Sequence, residues 1–413
     1  MHAAVMLRSQ PATLLTGGSG FLGTLVAAAL LAQEASPLVL AVRPGNSASE
    51  CRGRLRIALR DRGVADREAE ALMALAAVVE LPPLERLGEL DAVASRFEVD
   101  EIVHCAGCVD YFDKRRLQLA NVELTSRLLA TARPWGLRRF IYLSTAYCSG
   151  YQSGLVREQL HADPPAGDEP TEYTRTKRAA EWRIADSGCP FVIVRPAVVI
   201  GDSRTGVYRG KNYGLYQLWR AFEGLLCREY APVWHTVAPP APVDFVHQDA
   251  FQNAFRGIYR SAPPGAIVHL VGDPSRRPTL RELFWQWAEV YWPFEIHGYA
   301  QVDDVPLASI PKRQRRFLEF AAKNFEIATH AWNFETTYMT RLRAAGLPFA
   351  DATLATIAVC QERYIAGSAA IQEHMRRYCG RPGGPPRFVD LTSPAPRLPA
   401  GRTGHPTPRH LDA

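Results

Sequence analysis

Tyr173 and Lys177 stand four residues apart in Glu172-Tyr173-Thr174-Arg175-Thr176-Lys177, so on a helix both side chains share one face. A phenol with a pKa of about 10 is a poor acid or base at neutral pH, and a neighbouring ammonium favours the phenolate and lowers that value. Such a pair can protonate a carbonyl oxygen. Tyr and Lys at this spacing also meet by chance on helix surfaces, so the reading needs converging groups. The run Leu143-Ser144-Thr145-Ala146-Tyr147 ends an apolar segment in hydroxyls. At the carboxyl edge of an open α/β sheet, where ligands bind, Thr145 would hydrogen-bond the same oxygen, with Ser144 as the alternative.

A second constellation opens the chain. An apolar strand runs into Thr16-Gly17-Gly18-Ser19-Gly20-Phe21-Leu22-Gly23 and then into an apolar helix. Gly17 permits a tight turn, Gly20 lets backbone approach a pyrophosphate, and Gly23 lets helix and strand pack closely, with the helix N-terminus aimed at the phosphates. Where an acidic residue would hold a ribose 2′-hydroxyl, the second strand ends Leu40-Ala41-Val42-Arg43. A cation there suits the 2′-phosphate of NADP, so NADPH is expected over NADH.

The elements that must position these groups follow from periodicity. Ala12 to Thr16, Leu38 to Val42, Glu101 to Cys105, Phe140 to Ser144 and Phe191 to Arg195 read as buried strands, with helices between them at Phe21 to Ala32, Leu117 to Arg133 and Tyr173 to Asp186. That alternation predicts a doubly wound, Rossmann-like α/β fold with a parallel sheet covered on both faces. Residues 12–300 would form this domain, with a smaller substrate cap drawn mainly from 201–240 and 275–300. Within that cap, Tyr213 to Cys227 and Leu280 to Tyr291 look helical, and Ala266 to Val271 looks like a further strand. Residues 301–380 read as a mainly helical C-terminal region, 1–11 as an N-terminal extension and 381–413 as a disordered tail rich in Pro and Gly.

The 413 residues suffice for one large domain or two ordinary ones, and 47% hydrophobic against 22% charged residues excludes a mainly disordered or fibrous chain. A net charge of +6 without a basic stripe interleaved with aromatics does not point to nucleic acid. The basic run Lys312, Arg313, Arg315, Arg316 before Phe317, Leu318 and Phe320 reads first as a solvated helix face beside a core face. Docking to an acidic carrier or peripherally to a membrane surface is the other reading. Leu22 to Ala32 is about half the ~20 residues that span a bilayer, so no transmembrane segment is expected. Eight scattered Cys and no leader pattern suggest a reducing cytoplasm. Cys105 and Cys108 form a CxxC without a second pair or suitably spaced histidines, so packing is expected and no metal site; His104 and His247 read the same way.

Together these segments resemble the extended short-chain dehydrogenase/reductases, and within them the fatty acyl-CoA reductase and thioester reductase group. The likeness rests on Thr16 to Gly23, Val42-Arg43, Ile102-Val103-His104-Cys105-Ala106-Gly107, Phe140 to Tyr147, Tyr173 to Lys177, Val194-Arg195-Pro196 and Gly201-Asp202-Ser203-Arg204-Thr205-Gly206, covering about residues 12 to 275. It implies a triad of Thr145, Tyr173 and Lys177, with Lys177 also holding the nicotinamide ribose. Ala106 and Gly107 would line the cofactor, Arg195-Pro196-Ala197 would face the nicotinamide, and Asn121 would support the lysine through water. The chain departs from the group at Val78-Val79-Glu80-Leu81, where relatives carry a Gly-Asp pair that meets the adenine.

The resemblance implies NADPH-dependent reduction of an acyl thioester, carried by coenzyme A or an acyl carrier protein, to an aldehyde and, with a second hydride, to the alcohol. Since no adenylation or carrier domain precedes Thr16, delivery by a separate molecule is expected. Two rival readings stay open: a reductase or epimerase of a diffusible carbonyl compound such as a nucleotide sugar, steroid or flavonoid ketone, and a non-catalytic NADP-binding scaffold. Tyr147, Ala197, Tyr213 and Tyr216 are the substrate-facing expectations. Acyl chain length, carrier identity, product and oligomeric state are not encoded in these motifs.

Overall fold

The computed structural model describes residues 11–34, 37–111, 113–379 and 386–392. Seven strands form one wholly parallel sheet: β1 (Thr13–Thr16), β2 (Leu38–Val42), β3 (Ala76–Glu80), β4 (Glu101–His104), β5 (Arg139–Leu143), β6 (Phe191–Pro196) and a later strand, Ala266–Leu270. Across the sheet the order is Ala266–Leu270, β6, β5, β4, β1, β2, β3. The direction of winding reverses between β1 and β4, which opens a crevice at the carboxyl edge. Most of these strands are apolar and buried on both faces because helices cover each side.

Helices Phe21–Glu34, Ala48–Asp61 and Gln248–Ser261 cover one face, and Leu90–Phe97, Leu124–Ala132 and Glu172–Ala185 cover the other. Phe21–Glu34 has no polar stripe, and Val26 to Leu31 are fully buried because this helix packs against the sheet while neighbouring helices cover its outer side. Every strand and helix expected from the sequence up to Val271 is present, with ends shifted by at most three residues, but Ala266–Leu270, expected in the cap, is an edge strand of the main sheet because it pairs with β6. Leu117 to Arg133 is interrupted by a π-helical turn, Gln118–Glu123.

Beyond the sheet, three short parallel strands, Val233–Val237, Glu295–Tyr299 and Arg387–Leu391, form a second sheet that periodicity did not reveal. Disorder from Arg381 onward therefore fails for Arg387–Leu391, which finds a partner edge at Glu295–Tyr299. The remainder of that expectation falls outside the described residues, apart from Pro386 and Thr392, as does most of the N-terminal extension. Helix Lys312–Thr329 packs on helix Leu215–Leu225 and on Val233–Val237, so much of 301–380 joins the cap in a single apolar cluster that includes Trp219, Phe222, Trp287 and Phe317. In the basic run, Phe317 and Leu318 face this core while Phe320 is 54% exposed, matching a helix with one solvated face. Among the described residues, no helix is long and apolar enough to cross a membrane.

Candidate active site

β5 delivers Ser144 and Thr145 to the crevice, and helix Glu172–Ala185 delivers Tyr173 and Lys177 beside them. That helix begins where Thr171 and Thr174 cap each other's backbone N–H groups, which fixes the first turn and with it Tyr173. Thr145 lines the cavity together with Tyr173, whereas Ser144 does not, and the Thr145 hydroxyl accepts from the Tyr147 N–H at 3.4 Å. The Ser144 hydroxyl is buried without a hydrogen-bond partner among the described residues. Geometry therefore selects Thr145 over Ser144 as the partner of Tyr173.

The electrostatics differ from the expectation that Lys177 draws down the phenol. Burial, and then Tyr111 whose ring centre lies 5.9 Å away, push Tyr173 above its ordinary value, opposed by the Thr145 side chain. The Lys177 ammonium turns instead to the Leu143 carbonyl at 2.7 Å and the Tyr142 hydroxyl at 3.2 Å. Burial lowers its own pKa to about 8, although Cys105, Glu181 and Cys148 favour the charged form. Tyr173 is thus a protonated phenol at neutral pH, with a proton available to donate.

The glycine loop has the shape a dinucleotide pyrophosphate needs. Gly17 has φ +74°, and a Cβ there would lie 2.7 Å from the Ala106 nitrogen. A Cβ on Gly23 would come within 2.2 Å of the Gly17 carbonyl, so only glycine lets the helix start this close to the turn. Gly17, Gly20, Phe21, Leu22 and Gly23 border a cavity of about 420 Å³, as do Cys105 and Gly107 across the crevice. Gly18 packs over Leu15 and Leu40. The Ser19 hydroxyl accepts from Asn46, and its carbonyl accepts from Arg54 at 2.7 Å. The residues present fit a dinucleotide, with Arg43 exposed at the end of β2.

The place of Arg195 differs from the expectation. Arg195 does not face the cavity: the pleat of β6 turns it to the opposite side, where it pairs with Glu181 at 2.6 Å with both side chains fully buried. Pro196 and Ala197 do line the cavity. Asn121, in the π-helical turn, uses its amide to clasp the Cys108 backbone at 2.8 and 3.1 Å and to reach Thr176 at 3.0 Å, so it braces the loop past the crevice. Ala106 contributes backbone beneath Gly17. Cys105 and Cys108 are both free thiols, and burial pushes Cys105 up to about 12, which leaves it unreactive.

From Thr145 and Tyr173 the same cavity runs into an apolar chamber walled by Leu218, Trp219, Phe222, Trp287, Phe317 and Trp332. Tyr147, Ala197 and Tyr213 line it as expected. Tyr216 does not: it stacks on Tyr208 at 3.7 Å and accepts from the Gly201 N–H at 3.1 Å. Asp244 at the chamber wall is paired with Arg277 at 2.9 Å, yet burial still raises its pKa to about 6. Sequence reasoning missed Asp244, Tyr111 and most of the chamber. Their one legible signal was Trp and Phe spaced for a helix core, which says nothing about a cavity.

A doubly wound sheet with a glycine loop and a Thr/Tyr/Lys set at its switch point defines an NAD(P)-dependent oxidoreductase of the extended short-chain dehydrogenase/reductase type. The chain belongs to the NAD-binding family described as Male sterility protein, whose model matches residues 15–250. It is 31% identical over 215 residues to peramine synthetase A of Epichloe festucae (strain Fl1), covering 50% of this chain and 8% of that protein. To the L-2-aminoadipate reductase large subunit of Penicillium chrysogenum it is 25% identical over 327 residues, covering 73% of this chain and 22% of that protein. The chain thus spans a small part of either relative. Among solved structures, the terminal R domain of the myxalamid PKS-NRPS biosynthetic pathway shares the fold at TM-score 0.68 and 20% identity, over 86% of this chain and 91% of that one. A UDP-glucuronic acid 4-epimerase mutant from Bacillus cereus shares it at TM-score 0.57 and 15% identity, over 86% and 99%.

Proposed function

We propose that this protein reduces an acyl thioester, presented by coenzyme A or an acyl carrier protein, to an aldehyde and, by a second round, to the alcohol, using NADPH. The observation that carries the reading is the continuity of the cavity from the glycine loop, past the Thr145–Tyr173 pair, into a chamber of aromatic and aliphatic side chains. Such a chamber suits an apolar acyl chain better than a nucleotide sugar, whose hydroxyls would lack partners there. Relatives named as a terminal R domain of a PKS-NRPS pathway and as an aminoadipate reductase favour the same chemistry.

The dinucleotide, when bound, supplies a hydride. Thr145 and Tyr173 donate hydrogen bonds to the carbonyl oxygen where negative charge develops, and the phenol, held protonated by burial, gives up a proton as that charge grows. The Lys177 ammonium, behind the crevice floor, adds a positive charge that favours the transient phenolate. Collapse of the tetrahedral adduct returns the hydroxyl proton to the Tyr173 phenolate and breaks the C–S bond; the thiolate leaves and takes a proton from solvent, and an aldehyde remains. The apolar wall excludes water from the reacting carbon. NADPH is favoured over NADH by Arg43 at the end of β2, where no carboxylate stands.

Purified protein mixed with NADPH and a panel of acyl-CoA and acyl-carrier thioesters tests this. Cofactor oxidation with stoichiometric thiol release, absent in Tyr173→Phe, is the expected result. Silence on every thioester with turnover of a free ketone or sugar nucleotide would replace the proposal.

A further inference from the structure

Tyr142 lies in the middle of β5 and is fully buried. Its ring centre is 4.5 Å from the Lys177 ammonium, and its hydroxyl accepts from that ammonium at 3.2 Å. The Thr125 side chain lies beside the same hydroxyl and partly offsets the burial that pushes the Tyr142 phenol up. Thr125 donates its own proton to the Asn121 carbonyl at 2.7 Å, leaving only lone pairs for its other neighbours. His104 Nε2, 2.9 Å from the Thr125 oxygen, must then be the protonated nitrogen, so Nδ1 accepts from the Thr16 hydroxyl at 2.6 Å. Three protons are thus assigned: Lys177 to Tyr142, His104 to Thr125 and Thr125 to Asn121, with His104 tying Thr125 to the strand that carries the glycine loop.

We propose that Tyr142 is a positioning residue for Lys177: its hydroxyl, on a ring stacked against His104 and beside Thr125, holds the catalytic ammonium in place and in its charged form. The side chain of Asn121 makes its hydrogen bonds to Cys108 and Thr176 rather than to Lys177. The other groups facing Lys177 are the Cys105 and Cys148 thiols, neutral His104, and Glu181, whose charge is taken up by Arg195. Tyr142 therefore supplies a neutral, directional acceptor where burial disfavours the ammonium. The inference rests on the reading that Lys177 serves the cofactor and Tyr173. It does not depend on which carbonyl is reduced.

Tyr142→Phe keeps the ring over the ammonium and removes one oxygen. NADPH affinity, followed by fluorescence across pH, should weaken in the wild type as Lys177 deprotonates near about 8. In Tyr142→Phe this alkaline limb should move about one pH unit toward acid, the size of one hydrogen bond to a charge, with circular dichroism unchanged. Thr125→Val should shift it the same way and Thr125→Ser should bring it back. The double variant Tyr142→Phe/Thr125→Val should shift no further than Tyr142→Phe alone, since both act through one contact. The kcat profile should follow on any thioester that turns over. A limb that is absent in the wild type, stays put in Tyr142→Phe, or moves additively in the double variant overturns the proposal. Failure of every thioester to react would defeat the substrate reading and leave the binding limb intact.

Discussion

The floor of the crevice and the chamber that opens from it are both buried, but different forces hold them. On the floor, polar groups meet partners at fixed distances: Lys177 on Leu143 and Tyr142, Asn121 on Cys108, Arg195 on Glu181. In the chamber wall, Phe222 meets Trp287 at 4.5 Å and Trp234 at 5.1 Å between ring centres. There the indole nitrogens of Trp219, Trp234 and Trp287 have no hydrogen-bond partner among the described residues. Directional contacts fix atoms in place, and removing one partner strands the other. Apolar burial depends on area and shape, so its members exchange at modest cost if volume is kept. The fold thus assigns reaction geometry to the part that cannot be rebuilt piecemeal and substrate choice to the part that can.

Substitutions should separate the two regions. Tyr173→Phe should lower kcat about 10³-fold with unfolding unchanged, measured by NADPH oxidation and thermal melts; a loss under tenfold would move the proton donor elsewhere. Glu181→Ala should cost roughly 3 kcal/mol in denaturant unfolding, because Arg195 keeps its charge without a counterion in a buried site. A cost below about 1 kcal/mol would mean the floor tolerates exchange as the chamber does. Arg43→Ser should cut the preference for NADPH over NADH by about tenfold, near the ~1.4 kcal/mol that factor represents, read from KM for both cofactors. Phe222→Leu should cost about 1 kcal/mol in stability and widen the range of acyl chains accepted, with kcat on the best substrate nearly kept. If it abolished turnover on all of them, the chamber would belong to the reacting geometry.

A last effect concerns pH. Burial draws His104 from 6.5 down to about 3, so between those values the unfolded chain binds a proton that the folded chain refuses. Stability therefore falls as pH drops through about 6.5 toward 3. His104→Gln should flatten this acid loss in melts taken from pH 7 to pH 4. An unchanged slope would assign the acid sensitivity to other buried groups, such as His269 and His161.

Where local rules apply, the sequence was legible. Buried strands read as apolar runs, the glycine loop read from its place between strand and helix, and Tyr173 and Lys177 shared a face at the spacing of one helical turn. Other residues were not legible one at a time. Ser144 and Thr145 are adjacent hydroxyls at the same strand end, and only the approach of Tyr173 distinguishes them. Arg195 looked like a cofactor contact until Glu181, fourteen residues earlier on the covering helix, claimed it. Tyr142 looked like one more core residue of β5, and its hydroxyl acquires a role only where Lys177 and Thr125 converge. Strands Val233–Val237, Glu295–Tyr299 and Arg387–Leu391 are too short to announce themselves and pair across sequence gaps of dozens of residues.

Element type, the phosphate turn and the shared helix face of Tyr173 and Lys177 were determined by the sequence alone, because backbone sterics and helical period act over a few residues. Which hydroxyl meets the phenol, where the lysine's charge is directed and what chamber receives the substrate were decided only by the tertiary structure, because each depends on side chains that distant segments bring into contact.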